Sequence, residues 1–240
     1  MRTHLPLLFA LAALAAIAAP AGAETRNFGV SGFDKVRVDG PFKVRLTTGV
    51  APFAQAIGSA RAIDRVAMDV RGQTLIVHVN PSSWGGYSGD NIGTVEIAIG
   101  THDLSAASLN GSGSLDINAV KGLAFDLSVQ GSGGATIAET DVDQLRVNVI
   151  GTASASLAGR AGRMTAIVRG ISSLDAAGLT VKDATIGAEG AATVKAAITN
   201  AVTIDGTGTA TITLTGDPSC TVRAHGSASV SGCKSSGAGY

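Results

Sequence analysis

The sequence predicts an all-β chain folded as a parallel β-helix with short rungs and Gly-rich turns. Three observations carry this. Glycines recur about every 20 residues through the C-terminal half, as a repeat of one short structural unit does. They stand at Gly111-Ser112-Gly113, Gly131-Ser132-Gly133, Gly151, Gly170 and Gly190, with looser spacing around Gly206 to Gly208 and a return at Gly226. Between them, short runs alternate apolar with polar or small residues, the period of a strand with one wet face. No proline occurs between Pro81 and Pro218, so nothing interrupts continuous backbone ladders there.

A short strand with one apolar face cannot bury that face alone, but stacked copies can. Twenty extended residues at about 3.3 Å each make a perimeter of roughly 65 Å, which suits one turn with two or three short sides. Stacking turns about 4.8 Å apart pairs each backbone group with the rung above or below. Glycine permits the tight corners, and Ser or Asn can hydrogen-bond the turning backbone. The competing architecture, an antiparallel sandwich, would place turns about every 8 to 12 residues instead.

Along the chain, residues 1–23 read as a signal peptide. Arg2 and His4 precede an almost unbroken apolar run, and Pro20 leads into Ala21-Gly22-Ala23, a small-residue cleavage site. The run is shorter than the roughly 20 residues that cross a bilayer. Residues 24–240 form one elongated domain, less regular to about residue 100 and repeated from about 101 to 230. Residues 33–38 and 42–46 alternate as strands around Gly40-Pro41, and residues 64–70 and 74–79 form two more, parted by Arg71-Gly72. A short helix or turn is expected within 51–62. The repeat then runs through Val95, Ile97 and Ile99, Leu115 and Ile117, residues 125–129, 135–137 and 145–149, and onward with gaps to Val230.

Composition excludes several classes. The 18 Lys and Arg balance 18 Asp and Glu, so neither nucleic acid nor an anionic membrane surface is an expected partner. No second long apolar stretch follows the leader, so no transmembrane segment is expected in the mature chain. With 32 glycines and 4% aromatic residues, the core is expected to be narrow layers of Ala, Val, Ile and Leu. Cys220 and Cys233 are the two cysteines, and in an exported chain they read as a disulfide that staples the last coil. Closing that loop contributes roughly 2 to 4 kcal/mol.

Three stretches resemble the putative auto-transporter adhesin head domain family, also called the head GIN domain or DUF2807 family. They are Phe33-Asp34-Lys35-Val36-Arg37-Val38 with Phe42-Lys43-Val44-Arg45-Leu46; Thr74-Leu75-Ile76-Val77 with Gly93-Thr94-Val95-Glu96-Ile97; and Leu109-Asn110-Gly111-Ser112-Gly113-Ser114-Leu115-Asp116-Ile117 with the second Gly-Ser-Gly at 131–133. The resemblance covers about residues 30–230. It implies an exported protein with a right-handed, single-stranded β-helix core, and it supplies no catalytic residues. The later turns at Gly151-Thr152-Ala153-Ser154 and Gly187-Ala188-Glu189-Gly190 are eroded relative to the cleaner pattern, and residues 81–90 carry an aromatic insertion.

That insertion holds the candidate ligand contacts. Trp84 and Tyr87 offer flat surfaces to a sugar ring or an apolar partner, with Asp90 and Asn91 as polar contacts; the alternative role for Trp84 is to cover the core. His78, His102 and His225 lack metal-ligand spacing, so no metal site is expected. Asp103, Asp116, Asp126, Asp141 and Asp143 share no phase in the repeat and read as solvated or turn-forming residues rather than a stacked catalytic set. Gly111-Ser112-Gly113 lacks the Lys and the following helix of a phosphate-binding loop. No cofactor is expected. The sequence therefore points to a non-catalytic exported structural or interaction module, adhesin-like and envelope-associated, with a glycan-processing enzyme as the alternative. Its expected partners are an envelope component, a glycan or a protein, or further copies of the chain. The expected location is the periplasm, with secretion or surface association as alternatives.

Overall fold

The structure, a computed structural model, describes residues 23–83 and 95–234. The expected leader therefore lies outside the described residues, apart from Ala23. In chain order the elements are β1 (Glu24–Phe28), β2 (Lys35–Asp39), β3 (Lys43–Thr48), β4 (Phe53–Gly58), α1 (Ala60–Ile63), β5 (Val66–Arg71), β6 (Thr74–Val79), β7 (Glu96–Thr101) and β8 (Ala106–Gly111). Then come the long rungs β9 (Ser114–Gly131), β10 (Gly134–Gly151), β11 (Ser154–Gly170), β12 (Ser173–Gly190) and β13 (Thr193–Gly208). The last turn is split into β14 (Thr211–Thr215), β15 (Ser219–Gly226) and β16 (Ser229–Ser231).

Each long rung pairs in parallel with the next, from β9 to β13. This is the parallel solenoid that the glycine period predicts. Every rung contains two alternating runs separated by an irregular stretch. In β9 the first run buries Leu115 and Ile117, and the second buries Phe125, Leu127 and Val129. Register carries these into columns: Leu127 stacks on Val147, Val147 on Ala166, Ala166 on Ile186 and Ile186 on Ile204. Each fully buried Val, Leu or Ile contributes roughly 1.5 to 3 kcal/mol. The alternation is thus a stack of hydrophobic layers, each rung covering the apolar face of its neighbour.

The two corners of a rung differ. At the first, a glycine of positive φ precedes each new rung by three positions, at Gly40, Gly111, Gly131, Gly151, Gly170, Gly190, Gly208 and Gly226. This column keeps strict register, Gly111 over Gly131 and Gly131 over Gly151. Its φ falls at every step, from +136° at Gly40 to +77° at Gly226. The second corner absorbs all the length changes: the register shifts among the long rungs lie at Ile137/Thr140, Ser156/Ala158, Ala176/Thr180 and Val181/Asp183. The looser spacing near Gly206 to Gly208 arises there, since Gly208 itself remains a corner. The turns at Gly151 and Gly190 that look eroded in sequence keep the same geometry.

The N-terminal part builds the first rungs and a lid of antiparallel strands. β2 lies parallel to β8, and β3 to β9, so the Gly40 corner stacks on the Gly111 corner. β6 and β7 pair with the other edges of β2 and β3 and form one more rung. Outside it, β5 pairs antiparallel to β6, β4 antiparallel to β7, and β1 antiparallel to β4. This lid departs from the uniform parallel pattern of the repeat.

Two local expectations are corrected here. Residues 51–62 hold a strand, β4, whose inward residues are only Ala54 and Ala56. Such small residues left its alternation faint. Just four residues of that region's end form α1, capped by the Ser59 side chain. The strand expected from residue 64 begins at Val66, because the Asp64 N–H still bonds to Ala60 O of the helix.

Candidate binding faces

The solenoid turns outward-facing positions into columns, and each column reads as a line of chemistry about 4.8 Å in pitch. On the first run, Ser154, Ser173, Thr193, Thr211 and Ser229 stack on consecutive rungs. A shallow groove of ≈ 260 Å³ lies on this face around Asp116, Thr136, Ser156 and Asp175. On the second run, Thr165, Thr185, Thr203 and Thr221 stack in the same way. A groove of ≈ 330 Å³ follows that row and is also lined by Arg163, Asp183 and Ser219. In the sequence these residues stand only as wet positions of the alternating strands. The signal that identifies the row is the repeat of Thr at matching phase in four rungs.

Several charged residues pair across rungs. Arg160 holds Asp141 through two hydrogen bonds of 2.8 Å. The Arg160 hydrogen bond, with further attraction from Arg160 and Lys121, keeps the Asp141 carboxyl below its ordinary value. Arg146 meets Asp126 at 3.3 Å, Arg169 meets Glu189 at 3.0 Å and Lys121 meets Glu139 at 3.5 Å. Lys43 donates to Glu96 at 2.7 Å and, with Arg45 nearby, lowers its pKa. Such exposed pairs set register more than they add stability.

The residues singled out by sequence are dispersed. Trp84, Tyr87, Asp90 and Asn91 lie outside the described residues. The flanks locate where their segment attaches. His78 is opposite Asp39, and Glu96 is opposite Lys43, so the described flanks lie on either side of the corner that residues 40–42 make on the neighbouring rung. The near flank is tied down by Asn80 N–H to Arg65 O at 2.7 Å and by Ser82 N–H to Asn80 Oδ1 at 3.1 Å.

The three histidines stand apart. His78 is on β6, half-buried, with Nε2 2.9 Å from Asp69 Oδ2 on β5. His225 is at the opposite end, on β15. His102 and Asp103 line a polar cleft of ≈ 410 Å³ with Thr48, Asn118, Lys121 and Glu139. Asp103 shares this cleft with Glu139, which is exposed and paired with Lys121. Asp116 faces the serine-rich side, while Asp126 and Asp141 are held by arginines. Among the described residues, no group of three or more His, Cys, Asp or Glu gathers as a metal site. No described helix is long and apolar enough to cross a membrane.

Cys220 and Cys233 are joined as a disulfide, Cα to Cα 5.7 Å, tying β15 to the segment after β16. The Lys234 N–H bonds to Pro218 O at 3.0 Å beside it. The expected staple on the last coil is thus present.

The fold has solved counterparts. A putative adhesin from Bacteroides fragilis superposes with TM-score 0.73 at 18% identity, covering 88% of this chain and 94% of that one. A putative lipid binding protein from Parabacteroides distasonis gives 0.70 at 17%, covering 88% and 96%. A putative adhesin from Parabacteroides merdae gives 0.66 at 14%, with the same coverages. At these identities the likeness is one of fold. Comparison with curated proteins finds no match. The family model described as "Putative auto-transporter adhesin, head GIN domain" matches residues 32–218, and the chain belongs to that family.

Proposed function

We propose that this protein is an exported, non-catalytic interaction module of the cell envelope that adheres through its ladder faces. The observation that carries the reading is the contrast between the two kinds of polar residue. Carboxylates are scattered over several faces, and those of Asp126, Glu139 and Asp141 are held by arginine or lysine, whereas hydroxyls are aligned in uninterrupted outward rows. Hydrolysis of a glycan needs two carboxyl groups about 5 to 9.5 Å apart across the scissile bond. Binding needs only a repeated surface. Family membership favours the same adhesin-like role.

The leader at residues 1–23 and the Cys220–Cys233 disulfide together support passage into an oxidising compartment. The periplasm is the proposed destination, with an envelope glycan or protein as partner. Trp84 and Tyr87 remain the proposed aromatic anchors.

The test is co-sedimentation of purified residues 24–240 with envelope fractions and with intact cells. Saturable binding is expected, weakened in Trp84→Ala. Absence of binding to every fraction would overturn the reading.

A further inference from the structure

The groove along Thr165, Thr185, Thr203 and Thr221 has a chemistry of its own. These threonines occupy one column on four successive rungs, a row roughly 14 Å long at the pitch of a β-ladder. Thr185, Thr203 and Thr221 line the groove of ≈ 330 Å³, a volume at the lower end of the range of about 300 to 1,000 Å³ seen for small-molecule sites. None of the four hydroxyls hydrogen-bonds another described residue, although other threonines, such as Thr48 and Thr199, do.

Two charged groups complete the wall. Arg163 has neither ion pair nor hydrogen bond among the described residues, although Asp183 is its cross-rung neighbour. Asp183 is fixed by Asn200, whose Nδ2 donates to Oδ1 at 2.6 Å, and its second oxygen has no partner among the described residues. The groove thus offers guanidinium donors, a carboxylate acceptor and hydroxyls that serve as either. One positive and one negative charge cancel. An anionic ligand would meet Asp183 and a cationic one Arg163, so charge matching favours a neutral ligand. A ligand whose own groups both donate and accept, repeated along a line, is a polyhydroxylated chain.

We propose that this groove binds a neutral oligosaccharide whose chain runs along the threonine row, with Arg163 and Asp183 engaging its hydroxyls. This rests on the interaction-module reading and names the face and the class of ligand. The threonine methyl groups and Ala201 supply apolar contact for the carbon skeleton.

The experiment is calorimetric titration of residues 24–240, disulfide intact, with cellohexaose and maltohexaose as neutral probes and hexagalacturonate as the anionic one. At least one neutral probe is expected to bind in preference to hexagalacturonate. Thr185→Val with Thr203→Val keeps shape and strand propensity while removing two hydroxyls, and is expected to weaken binding about tenfold or more. Arg163→Gln is expected to weaken it as well, and Lys35→Gln, exposed on β2 toward the other end, to leave it unchanged. Tighter binding of hexagalacturonate, indifference to the threonine changes, or no binding of either neutral probe would overturn the proposal. Envelope co-sedimentation of the same variants separates the two readings. Envelope binding that persists without neutral-sugar binding removes only the groove proposal, whereas loss of both in wild type removes the interaction module too.

Discussion

A methyl group on Gly151 would stand 2.5 Å from the carbonyl oxygen of Gly131, the same oxygen that accepts the Thr152 N–H from the rung above at 2.8 Å. The corner column is therefore held by hydrogen bonds that only a residue without Cβ allows. The φ of +104° at Gly151 reinforces the demand. Gly151→Ala is expected to cost about 2 to 4 kcal/mol through strain and a backbone clash that no rotamer relieves. Gly134→Ala is the control. Its φ is ordinary, and its nearest neighbour would be the movable Ser154 hydroxyl at 3.1 Å, so a change within about 0.5 kcal/mol is expected. Urea unfolding of both variants checks the difference.

Thr140 presents the opposite case. It is buried at the second corner, and its hydroxyl oxygen has no hydrogen-bond partner among the described residues. Thr140→Val keeps the shape and removes the desolvated group. It is expected to raise stability by about 1 kcal/mol, which the shift in urea midpoint would show.

The His78–Asp69 contact makes the N-terminal lid sensitive to pH. The Asp69 hydrogen bond raises the His78 pKa, the Val79 carbonyl and Asp69 charge add to it, and burial opposes it. A proton held more tightly in the folded state stabilises it fully below the unfolded value of about 6.5. That contribution fades as pH rises through the higher folded value. Asp69→Asn is expected to bring the imidazole titration down and to flatten this part of the stability profile, as read by NMR of the His78 ring against pH.

At the other end, β15 is exposed along nearly its whole length, and Val222 is uncovered. Cys220–Cys233 restrains it alongside its parallel ladder to β13. Replacing both cysteines by Ser is expected to cost about 3 kcal/mol in the last coil. Because each rung contacts chiefly its neighbours, hydrogen exchange should quicken in β15 and β16 while β10 and β11 stay protected. The freed edge should also associate more readily, as light scattering would report.

The corners were legible in the sequence because one backbone demand, positive φ beneath a stacked carbonyl, admits almost only glycine. The solenoid follows from that period together with the alternation. Gly113 and Gly133 are constrained by space alone, since a Cβ would collide with Phe42 O and stand 2.6 Å from Gly113 O, respectively. From Ala153 onward the equivalent position carries a side chain, so the turn survives while its Gly-Ser-Gly signature fades. The lid was less legible. β4 buries only alanines, and antiparallel closure depends on long-range pairing that local pattern does not encode. The threonine row was hidden for another reason. Its members sit 18 to 20 positions apart, and the second corner shifts that interval, so the line exists only once the rungs are stacked.

The central claim is that this solenoid binds without turning its partner over. It is tested most directly by incubating residues 24–240 with envelope polysaccharide and measuring, in one mixture, bound protein and newly formed reducing ends. Saturable binding with reducing ends at the level of the protein-free blank is the predicted result. Reducing ends that accumulate in proportion to protein and time, and disappear in an Asp103→Asn, Glu139→Gln variant, would contradict it.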